Sequence, residues 1–269
     1  MTVKVLSIGD VLGRPGRRII REFLPAIKNK WELDCVVANI ENAAGGFGIT
    51  HKVYSELKRH GVDLMTSGNH IYDKPETRTW IDDTPDLIRP MNFPPGSPGQ
   101  DQACFTTASG VVIKVINLIG RVFMKPYDCP FRAADNWFNG QEKDYITLVD
   151  FHAEATSEKQ AMGWYLAERA SAVWGTHTHV PTNDARILNQ HTGFMTDLGM
   201  TGPYDSVIGM KIPAVLDGFL TLNRTRFEVA SGDLRLGGCL FEFDSASRKC
   251  RSIQSVHLSY QDLKAEIAE

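Results

Sequence analysis

The stretch Val3-Lys4-Val5-Leu6-Ser7-Ile8-Gly9-Asp10 decides how the rest of the chain is read. It is a short, β-rich, mostly apolar run, as expected of a strand buried in a sheet, and it ends on an acid. The same figure returns twice. Cys35–Ile40 is a second such run, followed by Glu41 and Asn42, and Leu64–Ser67 is a third, followed by Asn69 and His70. These polar ends lie 31 and 28 residues apart, close to one strand–helix–strand unit. Helical patterns fill the intervals. Ile19, Ile20, Phe23, Leu24 and Ile27 recur at helical spacing behind Pro15, with Pro25 expected to kink or break that helix. Thr50 is placed to cap a helix through Arg59, which Gly61 stops. A further helix is expected near Lys74–Ile81.

Downstream, Pro90, Pro94, Pro95 and Pro98 mark a loop. Phe105–Ala108 and Val111–Leu118 read as a hairpin joined at Ser109-Gly110. Asp144–Phe151 reads as a buried strand ending at His152. Ser157 and Gln160 suggest a capping box for a helix to Arg169. Ala170–Gly175 is a strand that runs out into His177 and His179, and Phe194–Leu198 is another. The strand-and-turn pattern of Leu234–Phe243 and Arg251–Leu258 predicts a second, antiparallel sheet. No linker divides the chain. The favoured architecture is one α/β domain over 1–269, two packed sheets flanked by helices, ahead of a split near residue 100.

Composition narrows the function classes. The chain has 269 residues, 42% hydrophobic and 23% charged, with a net charge of −3, the profile of an ordinary globular protein. That balance argues against a chain built to wrap nucleic acid, and Arg14, Arg17, Arg18 and Arg21 read as a solvated helix face. The five cysteines are widely spaced with no C-x-x-C, which points to a reduced, cytoplasmic protein without a thiolate metal site. No secretory signal or membrane-length apolar run is present. Gly9, Gly13 and Gly16 do not have the dinucleotide-binding spacing, and there is no P-loop.

In open α/β sheets ligands sit at the carboxyl ends of the strands. Parallel strands would bring Asp10, Glu41, Asn42, Asn69, His70, His152, His177 and His179 to one edge. Singly, each has an ordinary explanation: Asp10 as a helix cap, Glu41-Asn42 as turn chemistry. Together they form an oxygen and nitrogen donor set suited to Mn, Fe or Zn and too large for one tetrahedral ion. Two ions sharing a carboxylate would use it. His177 and His179, two apart in an extended segment, would face the same side and serve one ion each. His51, His60, His191 and His257 show no such placement.

These residues resemble the metallophosphoesterases. Their later motifs stand as Gly68-Asn69-His70, His152 and Gly175-Thr176-His177-Thr178-His179. Two motifs depart from the broad pattern: Asp10 is followed by Val11-Leu12 with no histidine, and Glu41 with Asn42 replaces the usual bridging aspartate. Those departures are similar to the bacterial YmdB-like phosphodiesterases, as are Ile8-Gly9-Asp10-Val11, Glu41-Asn42-Ala43-Ala44, Arg89-Pro90-Met91-Asn92-Phe93-Pro94, Asp150-Phe151-His152-Ala153-Glu154-Ala155-Thr156-Ser157-Glu158-Lys159 and Asp197-Leu198-Gly199-Met200-Thr201-Gly202-Pro203-Tyr204-Asp205. The resemblance spans nearly the whole chain.

The resemblance implies a four-layer α/β/β/α sandwich with a dinuclear centre. One ion would take Asp10, Glu41, Asn42 and His179, and the other Glu41, Asn69, His152 and His177, with Glu41 bridging. His70 would be the catalytic residue that is not a ligand. The ions would be two divalent or trivalent metals, iron and/or manganese. The expected activity is hydrolysis of a small phosphodiester, a 2′,3′- or 3′,5′-cyclic nucleotide, by a metal-bridging hydroxide assisted by His70. Two alternatives stay open: a phosphomonoesterase of the same fold, and a regulatory protein that acts by binding an RNA-processing partner. A homo-oligomer is compatible with either, and no membrane partner is expected. The Gly45-Gly46-Phe47-Gly48 and Met200-Thr201-Gly202-Pro203-Tyr204 segments either line the substrate site or are ordinary turns.

Overall fold

A computed structural model describes residues 1–140, 144–223 and 225–268. Along the chain run β1 (Thr2–Ile8), β2 (Asp10–Val11), α1 (Gly13–Lys30), β3 (Cys35–Asn39), α2 (His51–Arg59), β4 (Leu64–Thr66), β5 (Gln102–Thr106), β6 (Val112–Ile119), α3 (Pro130–Asn139) and β7 (Ile146–His152). Then follow α4 (Thr156–Tyr165), β8 (Ala172–Thr176), β9 (Arg186–Leu188), β10 (Thr192–Met195), β11 (Met200–Asp205), α5 (Ile212–Thr221), β12 (Gly232–Asp244), β13 (Cys250–Ser259) and α6 (Tyr260–Ala268).

Strand alternation explains the layering. In β1, Val3 and Val5 face one core while Leu6 and Ile8 face another. β3 does the same with Cys35 and Val37 against Val36 and Ala38. In the second sheet Ile113, Val115, Ile146 and Leu148 turn toward Val3, Val5 and Val37, so this shared core is the seam between the sheets. The outer face of the first sheet buries Ile19, Ile20, Phe23, Leu24 and Ile27 of α1, with α2 and Leu263 of α6. The outer face of the second buries Ala134 and Trp137 of α3 and Met162 of α4. The result is the α/β/β/α sandwich.

The first sheet runs β2-β11-β12-β1-β3-β4 with β13 on the far edge of β12, and the second runs β5-β6-β7-β8-β10-β9. β1, β3 and β4 are parallel, as are β6, β7, β8 and β10. Register aligns their carboxyl ends: Ile8 faces Ala38, Asn39 faces Thr66, and His152 faces Thr176.

Several local expectations are corrected. The C-terminal strands do not make a second sheet. β12 is thirteen residues long and pairs antiparallel with β1 from Thr2–Asp244 to Ile8–Gly238, with Phe241 and Phe243 in the seam core, so it joins the first sheet. The second sheet is built on β5–β10 instead. α1 passes through Pro25 because Pro25 and Arg21, whose carbonyl it leaves free, are both exposed to water. Lys74–Ile81 forms two 3-10 turns over Pro75–Thr79 and Ile81–Asp83, since only Thr77 and Ile81 are buried and no apolar stripe supports a longer helix. α4 starts at Thr156 behind Ala155 with no side-chain cap, so the Ser157 capping box is absent. The Thr50 cap is present: its hydroxyl accepts from the Val53 amide at 3.3 Å. The segment from Met200 to Tyr204 lies in strand β11 and is not a loop. The helices α3, α5 and α6 were not anticipated.

Candidate metal centre

The aligned strand ends place side chains from both sheets against one another. His152, the last residue of β7, is fully buried. Its Nδ1 meets Thr176 Oγ1 at 2.9 Å, and that hydroxyl donates to Asp150 at 2.7 Å, so it must accept from His152. The other nitrogen, Nε2, then faces inward. Around it stand Glu41 Oε1 at 3.0 Å, Asn69 Oδ1 at 3.0 Å and His177 Nδ1 at 3.1 Å. His177 is held the same way, its Nε2 lying 3.2 Å from Glu154 and its Nδ1 facing the cluster. These four residues are the set the family resemblance implies for one ion.

The other three, Asp10, Asn42 and His179, are arranged differently. His179 Nδ1 meets the Ile208 carbonyl at 2.9 Å, which leaves Nε2 facing Asp10 Oδ1 at 3.9 Å. Asp10 is fully buried and its Oδ2 accepts from the His177 amide at 3.0 Å, but its Oδ1 has no hydrogen-bond partner among the described residues. Asn42 donates from Nδ2 to the Gly46 carbonyl at 3.0 Å, and its Oδ1 is likewise buried and unpartnered. In Glu41, Oε1 faces His152, while Oε2 accepts the His70 amide at 2.7 Å.

A buried oxygen without a donor costs roughly 1–3 kcal/mol. Asp10 Oδ1 faces the His179 imidazole, Glu41 and Asn69 oxygens surround His152 Nε2, and each of these histidines and His177 has its outer nitrogen fixed by a second residue, a donor set that fits cations. The electrostatics agree. Burial works against charge on Glu41, but His152 and the His70 amide outweigh it and hold the carboxyl down at about 2. Burial likewise disfavours a charged His152, and Glu41 overrides it, raising the imidazole to about 9. The pair therefore calls for one positive charge between its members. Burial, with His152 next to it, pushes His177 down to about 3, so that ring is neutral. Burial also raises the Asp10 carboxyl.

His177 and His179 do not sit in an extended segment. They follow the end of β8 with φ of +100° and +65°, so a turn, and not strand alternation, aims one at each group. His70 stands beside the cluster, its Nδ1 2.6 Å from Asp73 and its ring edge-on to Phe47 at 5.0 Å, so the Gly45–Gly48 loop does border this site.

Sequence reasoning missed the layer beneath. Asn39 donates to Asp150 at 3.1 Å, and Thr66 bonds the same carboxylate, tying the first sheet to the second directly under the cluster. Asn39 also accepts the Glu41 amide at 3.2 Å. Lys159 and Asp197 form a buried pair at 2.5 Å. A signal existed: Asn39 and Asp150 interrupt otherwise apolar buried strands, where polar groups need partners.

The model of the YmdB-like protein family matches residues 6–256. The chain is 46% identical over 256 residues to a Bacillus subtilis protein named 2′,3′-cyclic-nucleotide 2′-phosphodiesterase, covering 94% of this chain and 96% of that one. A crystal structure described as a novel phosphatase of Mycoplasma pneumoniae superposes with a TM-score of 0.91 at 32% identity, covering 98% of this chain and 97% of the other. A Thermus thermophilus structure described as a hypothetical protein gives a TM-score of 0.90 at 40% identity, covering 96% and 99%. With its strand-end donor set on this sandwich, the chain belongs to the YmdB-like family.

Proposed function

We propose that this protein is a dinuclear metal-dependent phosphodiesterase that opens the phosphodiester of a 2′,3′-cyclic nucleotide, with iron and/or manganese as its metals. The observation that carries this reading is the buried cluster of Glu41, His152 and His177 donor atoms, with Asp10 Oδ1 buried and unpartnered among the described residues and facing His179. Asp10, Glu41, Asn42 and His179 would hold one ion, and Glu41, Asn69, His152 and His177 the other. When bound, two such ions supply Lewis acidity for the phosphoryl oxygens and activate the water that attacks phosphorus.

The chain's own residues do the rest. Glu41, fixed by the amides of His70 and of its own residue through Asn39, keeps both carboxylate oxygens available to the two groups. Asp73 holds His70 through Nδ1 and leaves Nε2 to meet a phosphoryl oxygen or to give a proton to the departing ribose oxygen. Asn42 offers a neutral amide oxygen where a histidine is usual, which makes that shell richer in oxygen and favours iron or manganese over zinc. The shared seam core supports reading the whole chain as one catalytic domain, and its five free cysteines support a reducing, cytoplasmic setting. Among the described residues no helix is long and apolar enough to cross a membrane.

The test is turnover of a bis-aryl phosphate and of 2′,3′- and 3′,5′-cyclic nucleotides, before and after chelation, with elemental analysis of the protein. Loss of turnover with metal, and its return on adding Fe or Mn, is expected. A metal-free protein with undiminished turnover refutes the reading, and preference for a mono-aryl phosphate would assign a phosphomonoesterase.

A further inference from the structure

We propose that Phe123 is the platform on which the nucleobase of the substrate stacks, with Lys125 beside it for the phosphate charge. The proposal rests on the phosphodiesterase reading above and names the part of the substrate that the metal ligands do not touch.

A cavity of about 350 Å³ opens at the centre, within the range of small-ligand sites. Asn69 and His177 of the donor cluster line it, together with Phe123, Met124, Lys125 and Tyr127. A phosphoryl group held at the donors would therefore leave the rest of its molecule against this segment.

Phe123 is unusual on two counts. It is 89% exposed, and its backbone φ is +62°. A bulky side chain rarely adopts that conformation, and where it does the strain is often functional. Core packing does not explain it, because the ring is in water. Tyr127 is already engaged, stacked on Phe93 at 5.1 Å and 13°. Among the described residues no aromatic ring packs on Phe123.

The segment is also anchored. Both Glu158 carboxylate oxygens accept the Arg121 amide at 3.1 Å, and one accepts the Val122 amide at 3.2 Å. The Gly120 amide donates to the His152 carbonyl at 3.0 Å, and a Cβ on Gly120 would lie 2.6 Å from Glu158 Oε2. The exposed ring is thus tied through two residues to the strand that carries His152. Every base presents a π-face, so an aromatic platform binds nucleotides with little regard to base identity. An exposed lysine in the same cavity attracts the anionic part of the ligand.

The experiment compares adenosine 2′,3′-cyclic phosphate with methyl ribofuranoside 2′,3′-cyclic phosphate, which has the same reacting bond and no base. In the metal-loaded enzyme, Phe123→Ala should raise KM for the nucleotide about ten-fold or more and leave kcat within about two-fold. It should leave KM for the base-free compound unchanged, and Phe123→Trp should restore nucleotide KM. Lys125→Gln should raise KM for both. Binding of 3′-AMP by equilibrium dialysis should weaken in Phe123→Ala by the same factor as KM. An unchanged nucleotide KM in Phe123→Ala, or an equal loss on both substrates, overturns the proposal. If the wild-type enzyme with metals bound turns over neither cyclic phosphate, the phosphodiesterase reading itself has failed, and the platform falls with it.

Discussion

The Lys159 ammonium lies 2.5 Å from Asp197 Oδ2, and both side chains are only 2% exposed. The same oxygen accepts the Thr178 amide at 3.3 Å and its hydroxyl at 2.8 Å, while Oδ1 accepts the Gly199 amide at 2.8 Å. Thr178 stands between His177 and His179, so this buried pair holds the turn that aims both histidines. Lys159→Met would leave a buried carboxylate without its cation, a loss of roughly 3–5 kcal/mol. The melting temperature should fall clearly, with less metal retained after dialysis. Replacing both partners, as Lys159→Met with Asp197→Leu, should recover part of the stability but not the metal. Equal metal content in the single variant would show that the turn holds without the pair.

Gly68 precedes Asn69 because the His152 ring occupies the space where a side chain would stand. A Cβ there would come within 2.3 Å of His152 Nε2 and Cδ2. Gly68→Ala should therefore displace a donor and not merely crowd a loop. Turnover should drop at least about ten-fold, and overpacking should lower stability by about 1–3 kcal/mol. Calorimetric titration with Mn should show one weakened site, and two unchanged sites would contradict this role for Gly68.

His70 and Glu41 should separate cleanly. His70→Ala removes a side chain whose ring touches Asp73 and Phe47 and none of the donors, so metal content should stay near wild type while kcat falls about 10²- to 10⁴-fold. Glu41→Ala removes the carboxylate proposed to bridge the two ions and should deplete both. A metal-free His70→Ala protein would make His70 a ligand, and a Glu41→Ala protein with two ions would refute the bridge.

Acid should loosen the loop that follows His179. Burial works to raise Asp184, but hydrogen bonds from Thr182, Thr196 and Gln160 outweigh it and hold its carboxyl below the usual 3.8. A depressed folded pKa means that the unfolded state binds more protons in acid. The stabilisation is therefore complete above about pH 4 and is lost as pH falls through the lowered value. Urea midpoints at neutral pH and near pH 3 should differ less for Asp184→Asn than for wild type. An identical acid loss in both would exclude Asp184 as a contributor.

How far the sequence could be read follows from where each signal resides. Asp10, Glu41, Asn69, His152 and the histidine pair were legible because each follows a strand whose pattern is strong and local. Their convergence needed only parallel pairing. In the layer that fixes them the polar residues are visible in the sequence, but their partners are not. Asn39 meets Asp150 across 111 positions of chain and Lys159 meets Asp197 across 38, and no local periodicity encodes such meetings. The helix α5 did carry a signal, since Ile212, Val215, Leu216, Phe219 and Leu220 recur at helical spacing, but only Val215 is buried and the rest of that stripe is exposed. The C-terminal hairpin was recognised as strands, but strand alternation alone does not say which sheet an antiparallel strand will join.

That antiparallel strand has a consequence for synthesis. β1, which carries the chain to Asp10, has β3 on one side and β12 on the other. A ribosome delivers β1 long before β12. Until then one edge of β1 stays open, and the first sheet cannot close. Maturation of the centre is therefore a late event, slow in the manner of folds dominated by distant pairings. Damage near Gly238, far in sequence from any donor, would strike the newborn chain at the strand that positions Asp10.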